Sequence, residues 1–342
     1  MSPRLWEIVP EPLVQAVEQI IPEPEPERPP DPGRPRGLVA LAQQMGLFEP
    51  KPEKPPTPKR APGVYTPDIA RVKRLAGKSK AGNSLYFVRP EEDYPSYSDF
   101  WRLVEMARFQ ICSETFAQKN LSSPSSTFIF VTPVGVPNCS KAKARTIFWQ
   151  FEYAGEYADQ KNRKTCSEQW SSDPWHAEQT GAQYVLLGSD PRLYDQQSMQ
   201  HVKKWDIVTL SYLTDRRRAI YDQIQHSFAP DYPGHSGKLR HEQLCLSGIM
   251  LHVHQHDTPA IAPIKMALAA AYHLPVICEA VNDPGLYQDC VYFASYDNLP
   301  RAVAAFLEGQ TDLEYIGEWL HELLCNEHSF EQCVMDALEG GR

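Results

Sequence analysis

From residue 84 onward, apolar and polar positions fall into short alternating blocks. Ser84-Leu85-Tyr86-Phe87-Val88-Arg89-Pro90 predicts a buried strand, and Ser98 predicts the cap of a long helix through Phe100, Leu103, Val104, Ala107, Phe109, Ile111 and Phe116, whose apolar positions recur every three to four residues. Strands are expected at 126–133, 146–152 and 183–189, with a short helix after Asp173-Pro174-Trp175 between the last two. The second half repeats this grammar. Strands are expected at 205–212, 249–254, 275–279 and 291–295, with helices at 215–224, 260–273, 298–308, 311–324 and 329–338. Short apolar strands alternating with helices predict an α/β protein with parallel sheets covered on both faces. Two such Rossmann-like units in tandem place a ligand cleft between them, at the carboxyl ends of their strands.

The prolines set where this pattern begins. Seventeen of the 31 fall in the first 67 residues, where missing amide donors and fixed φ oppose helix and sheet ladders. Residues 1–80 are expected to be a largely disordered arm, with transient helices at 5–21 and 37–48. The remainder divides into domains at 81–200 and 201–342.

Charge sharpens the division. The formal charge of −9 combines −4 over residues 1–50, +7 over residues 51–80 and −12 over the rest. An acidic body is a poor general binder of phosphate backbones; the basic connector suits nucleic acid or another acidic partner, or is a solvated linker. The eight cysteines show no Cys-x-x-Cys pair, as expected of buried thiols in a reducing cytoplasm. Neither a signal-peptide pattern nor an apolar run of spanning length is present, so a cytoplasmic location and no membrane span are expected.

Residues 183–338 carry a resemblance. Tyr184-Val185-Leu186-Leu187-Gly188-Ser189-Asp190, Val208-Thr209-Leu210-Ser211-Tyr212-Leu213-Thr214-Asp215-Arg216-Arg217, Leu251-His252-Val253-His254-Gln255 and Ala267-Leu268-Ala269-Ala270-Ala271-Tyr272-His273-Leu274-Pro275-Val276-Ile277 follow one another as in the carboxyl-terminal domain of GT-B fold glycosyltransferases. The chain resembles in particular the group similar to spore maturation protein B, and the sucrose-synthase-like family. The resemblance implies two Rossmann-like domains facing a cleft, the first taking an acceptor and the second a nucleotide sugar, with closure aligning the two. It implies no metal, because helix dipoles and basic side chains meet the leaving diphosphate in this fold type. The sequence has no Asp-x-Asp motif.

The candidate residues follow from what such a donor presents. A diphosphate needs amides at a helix start and one or two cations; hydroxyls need a carboxylate. Arg216 and Arg217, just after a strand end, are candidates for the diphosphate, and so is Lys265, which opens the helix after the His-rich loop. Three consecutive arginines at a helix amino end run against the macrodipole, which a bound anion would explain; a solvated first turn is the plainer reading. His254, which is also a catalytic candidate, and Gln255 are placed near the donor phosphates, and His256 on the loop toward the sugar. Satisfied structural histidines are the alternative. A metal site at His252, His254 and His256 would suit a barrel hydrolase, but only 86 residues follow His256. Where related sequences carry an acid that binds ribose, this chain has Leu268; either Glu279 takes over hydroxyl binding or the site is altered.

In the first half, Glu152 at a strand end is the candidate for accepting or orienting the acceptor hydroxyl, with Glu156 as its alternate and surface glutamates as the plain reading. Asp173-Pro174 reads as a helix cap with Pro at the first position, and Trp175 as a residue able to stack on a sugar. The expected function is thus metal-independent transfer of a sugar from a nucleotide-sugar donor. The alternatives are a DNA-base glycosyltransferase acting on a modified pyrimidine, using residues 51–80 to hold a duplex, and a non-catalytic GT-B-like binding or structural module.

Overall fold

Apolar runs bounded by polar turns become parallel strands, and the amphipathic stretches between them become the crossovers. The computed structural model describes residues 84–91, 97–132, 135–151, 162–193, 203–230, 238–256, 260–309 and 311–340. The expected arm, with its two helices and basic connector, lies outside the described residues. The chain runs β1 (Ser84–Arg89), α1 (Ser98–Met106), β2 (Gln110–Ser113), α2 (Glu114–Asn120), β3 (Ser126–Val131), β4 (Arg145–Gln150), β5 (Glu168–Ser171), α3 (Pro174–Thr180) and β6 (Gln183–Tyr184). These strands form a six-stranded sheet in the order β2-β1-β3-β4-β5-β6, parallel throughout.

The second lobe follows with β7 (Trp205–Val208), α4 (Asp215–Tyr221), α5 (Lys238–Leu246), β8 (Ser247–His252), α6 (Pro263–Ala271), β9 (Val276–Glu279), β10 (Tyr292–Ala294), α7 (Leu299–Glu308) and α8 (Thr311–His321). Its four-stranded sheet, β10-β9-β8-β7, is also parallel. A π-helical stretch, Glu322–Glu327, then leads to α9 (Phe330–Gly340).

Side-chain alternation along β8 positions the site. Ile249 and Leu251 enter one apolar cluster with Ile220 of α4 and Leu299, Val303 and Phe306 of α7. Met250 enters the other, with Met266, Ala267 and Ala270 of α6. His252 shares the parity of Met250, so it leaves the sheet on the α6 face at the carboxyl end of the strand. In α6, Lys265 alone is not buried, and the small residues Ala267, Ala269, Ala270 and Ala271 let the helix lie close between the lobes.

The lobes share one compact unit. α9 returns to the first sheet, where Phe330 stacks on Trp149 with ring centroids 6.0 Å apart and also meets Phe87 and Phe100. The strand after β6 crosses this return path through a bridge between Ser189 and Ser329. Gly188 is required there, because a Cβ would fall 1.9 Å from the His328 carbonyl oxygen. Buried Asp99 of α1 accepts from Arg240 of α5 and lies 3.2 Å from His241 Nε2. Burial alone would raise the Asp99 carboxyl; the His241 hydrogen bond and the Arg240 charge outweigh it and hold the group below its usual range.

The long first helix expected from the periodicity is in fact two. Arg108 adopts a left-handed φ of 59°, Gln110–Ser113 becomes an edge strand, and Ser113 caps the second helix by accepting from the Phe116 amide. Ser98 is the first helical residue, and Tyr97 precedes it without a side-chain cap. The expected strand at 183–189 joins the sheet only over Gln183–Tyr184, with Ser189 making a separate bridge, and β5 and α5 add elements that the apolar pattern did not single out. The cysteines are all free thiols.

Candidate functional site

The carboxyl ends of β7, β8 and β9, with the first turns of α4 and α6, gather the polar residues of the second lobe. Thr214 caps α4 by accepting from the Arg217 amide at 3.4 Å, which fixes where the arginine run begins to turn. Arg216 then reaches across the sheet. Its Nη1 donates to Glu279 Oε2 at 2.7 Å and to the His254 carbonyl at 3.1 Å, and its Nη2 donates to Glu279 Oε1. The guanidinium carbon lies 4.0 Å from the centroid of the Tyr296 ring, and the Tyr296 hydroxyl donates to the Arg216 carbonyl at 2.6 Å. The ring and the carboxylate together leave Arg216 a single orientation.

Arg217 turns the other way. It is 4% exposed, and its guanidinium donates to the Val253 carbonyl at 2.8 Å and the Tyr212 carbonyl at 2.7 Å, stapling the loop after β7 to the end of β8. The expected pair of phosphate-facing arginines is therefore divided between an ion-paired residue and a buried staple.

Lys265 stands in the first turn of α6, where Nζ donates to Ser211 Oγ at 2.6 Å and approaches His252 Nδ1 at 3.2 Å. Since an ammonium group only donates, Nδ1 of His252 accepts and the imidazole proton lies on Nε2. Burial holds the His252 imidazole well below its ordinary pKa, and the Lys265 charge pushes the same way. A neutral His252 is thus what allows the lysine to approach it.

His254 lies two residues past the end of β8, with its ring centroid 5.2 Å from that of His252. Its amide donates to Glu279 Oε2 at 2.9 Å. Burial lowers its pKa, against the opposing pull of Glu279. Its Nε2 is buried with no hydrogen-bond partner among the described residues. A buried polar atom of this kind is costly unless something fills its place. Gln255 and His256 follow as exposed residues, so the three alternating histidines do not converge. Among the described residues, no group of three or more His, Cys, Asp or Glu side chains is placed to hold a metal ion.

Glu279 ends β9 and is 5% exposed, with both oxygens accepting from Arg216 and one also from the His254 amide. Leu268, where the resemblance implied an acid, is buried on α6 in the main apolar cluster. Glu152 and Glu156 lie outside the described residues, immediately after buried Phe151. Ser211 and Tyr296 complete the cluster without having been singled out in the sequence. Their common signal is position, since each follows the carboxyl end of a parallel strand. The arrangement offers Lys265, a carboxylate-braced arginine and two neutral imidazoles at the carboxyl ends of the strands, a set suited to holding an anionic group beside hydroxyls.

Among the described residues, no helix is long and apolar enough to cross a membrane. No protein-family model and no curated protein sequence matches the chain. Solved structures do. Anabaena HepE in complex with UDP and glucose superposes with a TM-score of 0.53 at 8% identity, covering 75% of this chain and 99% of that one. The complex of the same protein with UDP alone gives 0.52 at 8% identity, covering 75% and 100%. TarM gives 0.46 at 10% identity, over 66% of this chain and 56% of the TarM chain. Two parallel α/β lobes matched over the full HepE length give this chain the GT-B fold.

Proposed function

We propose that the protein is a glycosyltransferase that moves a sugar from a nucleotide-sugar donor to an acceptor. The observation that carries this reading is the convergence of Lys265, Arg216, His254 and Glu279 at the carboxyl ends of the second sheet, in a fold whose neighbour HepE was solved with UDP. The donor would lie against residues 201–342 and the acceptor against residues 81–200, with Glu152 or Glu156 beside the acceptor hydroxyl. Lys265 and Arg216 would stabilise negative charge developing on the leaving diphosphate, a role for fixed cations that needs no metal. The amides of Lys265 and Met266 bond back to the Ala262 carbonyl, and Pro263 has none, so side chains more than backbone would supply the phosphate contacts. His254 Nε2 would accept a donor hydroxyl. The cell compartment consistent with this reading is the cytoplasm, and the groups similar to spore maturation protein B and the sucrose-synthase-like enzymes would be the nearest kin.

The test is thermal shift with UDP-, GDP-, ADP- and dTDP-sugars on the full chain and on Lys265→Ala. One donor should raise Tm in the wild type and lose most of that effect in the variant. If no nucleotide sugar stabilises the protein, the reading fails.

Buried Leu268 favours one second reading, a GT-B module that binds a nucleotide sugar without turning it over. A donor that raises Tm but yields neither transferred nor hydrolysed sugar would select it. For the basic segment 51–80 we propose an acidic partner, nucleic acid included; duplex binding that weakens with salt and vanishes when the segment is deleted would support this.

A further inference from the structure

The carboxylate of Asp173 serves two helices belonging to different lobes. Asp173 follows β5 of the first sheet and is 6% exposed. Its Oδ1 accepts from the His176 amide at 2.6 Å, capping its own helix, α3. Its Oδ2 accepts from the Ile261 amide at 3.0 Å, across 88 residues of sequence. Ile261 lies two residues before α6, the helix whose first turn carries Lys265.

α6 has no side-chain cap of its own, because its N-cap position is Ala262. A carboxylate at the entry to such a helix compensates in two ways. It accepts a hydrogen bond from an amide that the chain leaves without a local acceptor, and it lies at the positive end of the helix dipole. The same carboxylate stands at the amino end of α3, so a single charge answers both helix starts. Burial pushes the Asp173 carboxyl up, and the two amide bonds oppose that shift.

The geometry points to Asp173 as a positioning residue of the donor site. It fixes the entry to α6, and through it the stance of Lys265 between Ser211 and His252, from the opposite lobe. This rests on the donor-site reading above. Since the second oxygen alone crosses between lobes, capping of α3 and anchoring of α6 are separable by substitution. In Asp173→Ser, the hydroxyl is as good a helix cap as the carboxylate but offers a single oxygen, too short to reach Ile261 as well. Asp173→Ala loses both functions and is the control for folding.

Hydrogen exchange on the full chain tests the anchor without any ligand. In Asp173→Ser, amides of residues 261–266 should exchange about ten-fold faster than in wild type, while those of 176–180 keep wild-type protection. Asp173→Ala should accelerate both. Equal exchange at 261–266 in wild type and Asp173→Ser overturns the proposal.

The second arm uses whichever nucleotide sugar raises the wild-type Tm. Asp173→Ser should weaken its affinity about ten-fold, a loss that disappears in the Lys265→Ala background because the positioned group is then missing. Faster exchange with unchanged affinity also overturns the proposal, leaving Asp173 as a packing element. If the wild type binds no nucleotide sugar, the donor reading fails on its own, and the positioning role falls with it even where the exchange arm shows the anchor.

Discussion

Arg216 and Glu279 join the start of α4 to the end of β9 through a two-pronged ion pair in which the glutamate side chain is only 7% exposed. The pair has consequences for how the site is probed. An arginine expected to meet phosphate already has a carboxylate partner, so its removal does more than delete a ligand contact. It strands a buried anion whose remaining hydrogen bond comes from the His254 amide.

Arg216→Ala is accordingly expected to cost about 2–3 kcal/mol of stability, less than a fully buried pair because the arginine side chain is 23% exposed. Arg216→Ala combined with Glu279→Gln should recover at least half of that loss, since the unpaired charge is gone. Urea unfolding of the two variants measures the difference. A double variant less stable than the single one would mean that Glu279 has other work in holding the lobe together. Lys265→Ala avoids this complication, and for that reason it is the cleaner probe of donor binding.

Stability should fall on mild acidification. Burial lowers the imidazole pKa of His176, His252, His254 and His321 in the folded protein. Below about pH 6.5 the unfolded chain takes up protons that these buried rings refuse, so folding free energy drops as pH falls from there. Asp173 and Glu331, whose carboxyls burial raises, run in the opposite direction. His252→Gln isolates the histidine contribution, because the glutamine oxygen can still accept from Lys265 and does not titrate. Its urea midpoint should change less between pH 7.5 and 5.5 than that of wild type; equal slopes would show that His252 does not titrate differently on folding.

Much of this architecture is legible in the sequence because parallel strands covered on both faces are written as short apolar runs. The runs at Phe128–Val131 and Ile249–Leu251 leave few alternatives, and Asp173-Pro174 announces its helix. The cap survives in the structure, but the partner of its second oxygen, Ile261, is 88 residues away and no local pattern signals it. β2, which the periodicity assigns to a helix, and β5, which it does not single out, are hidden for a related reason. Gln110–Ser113 lies at a sheet edge and Glu168–Ser171 mixes polar with apolar residues, so neither shows an unbroken apolar run. The arginine run is legible as the start of a helix. Which arginine turns inward depends on the carbonyls of Val253 and Tyr212, which only the folded loop brings near.

The first lobe should depend on the end of the chain. Phe330 is 1% exposed and stacks on Trp149 among Phe87, Phe100 and Phe109. Phe330→Ala removes a ring from the middle of this cluster, at an expected cost of about 3–5 kcal/mol. Trp149 and Trp170 report directly on the region, with ring centroids 5.8 Å apart. Their fluorescence should lose its native maximum at a lower urea concentration in the variant. An unchanged midpoint would mean that the first sheet closes its core without α9.

Leu268→Glu is the substitution that the resemblance to GT-B glycosyltransferases invites, since it places at 268 the ribose-binding acid that the resemblance implies. The structure predicts the opposite of a gain. Leu268 is 1% exposed and belongs to the main apolar cluster together with Ala267, Ala269 and Ala270. A carboxylate there would leave water for an apolar wall and would either ionise at a large cost or take up a proton. The expected loss is about 3 kcal/mol or more, with no tightening toward any nucleotide sugar. Ser211 and Lys265 meet at the carboxyl ends of the strands, whereas Leu268 lies one turn deeper in α6, within the packed helix. A Leu268→Glu protein that kept its wild-type Tm and gained donor affinity would show that this turn of α6 faces the ligand.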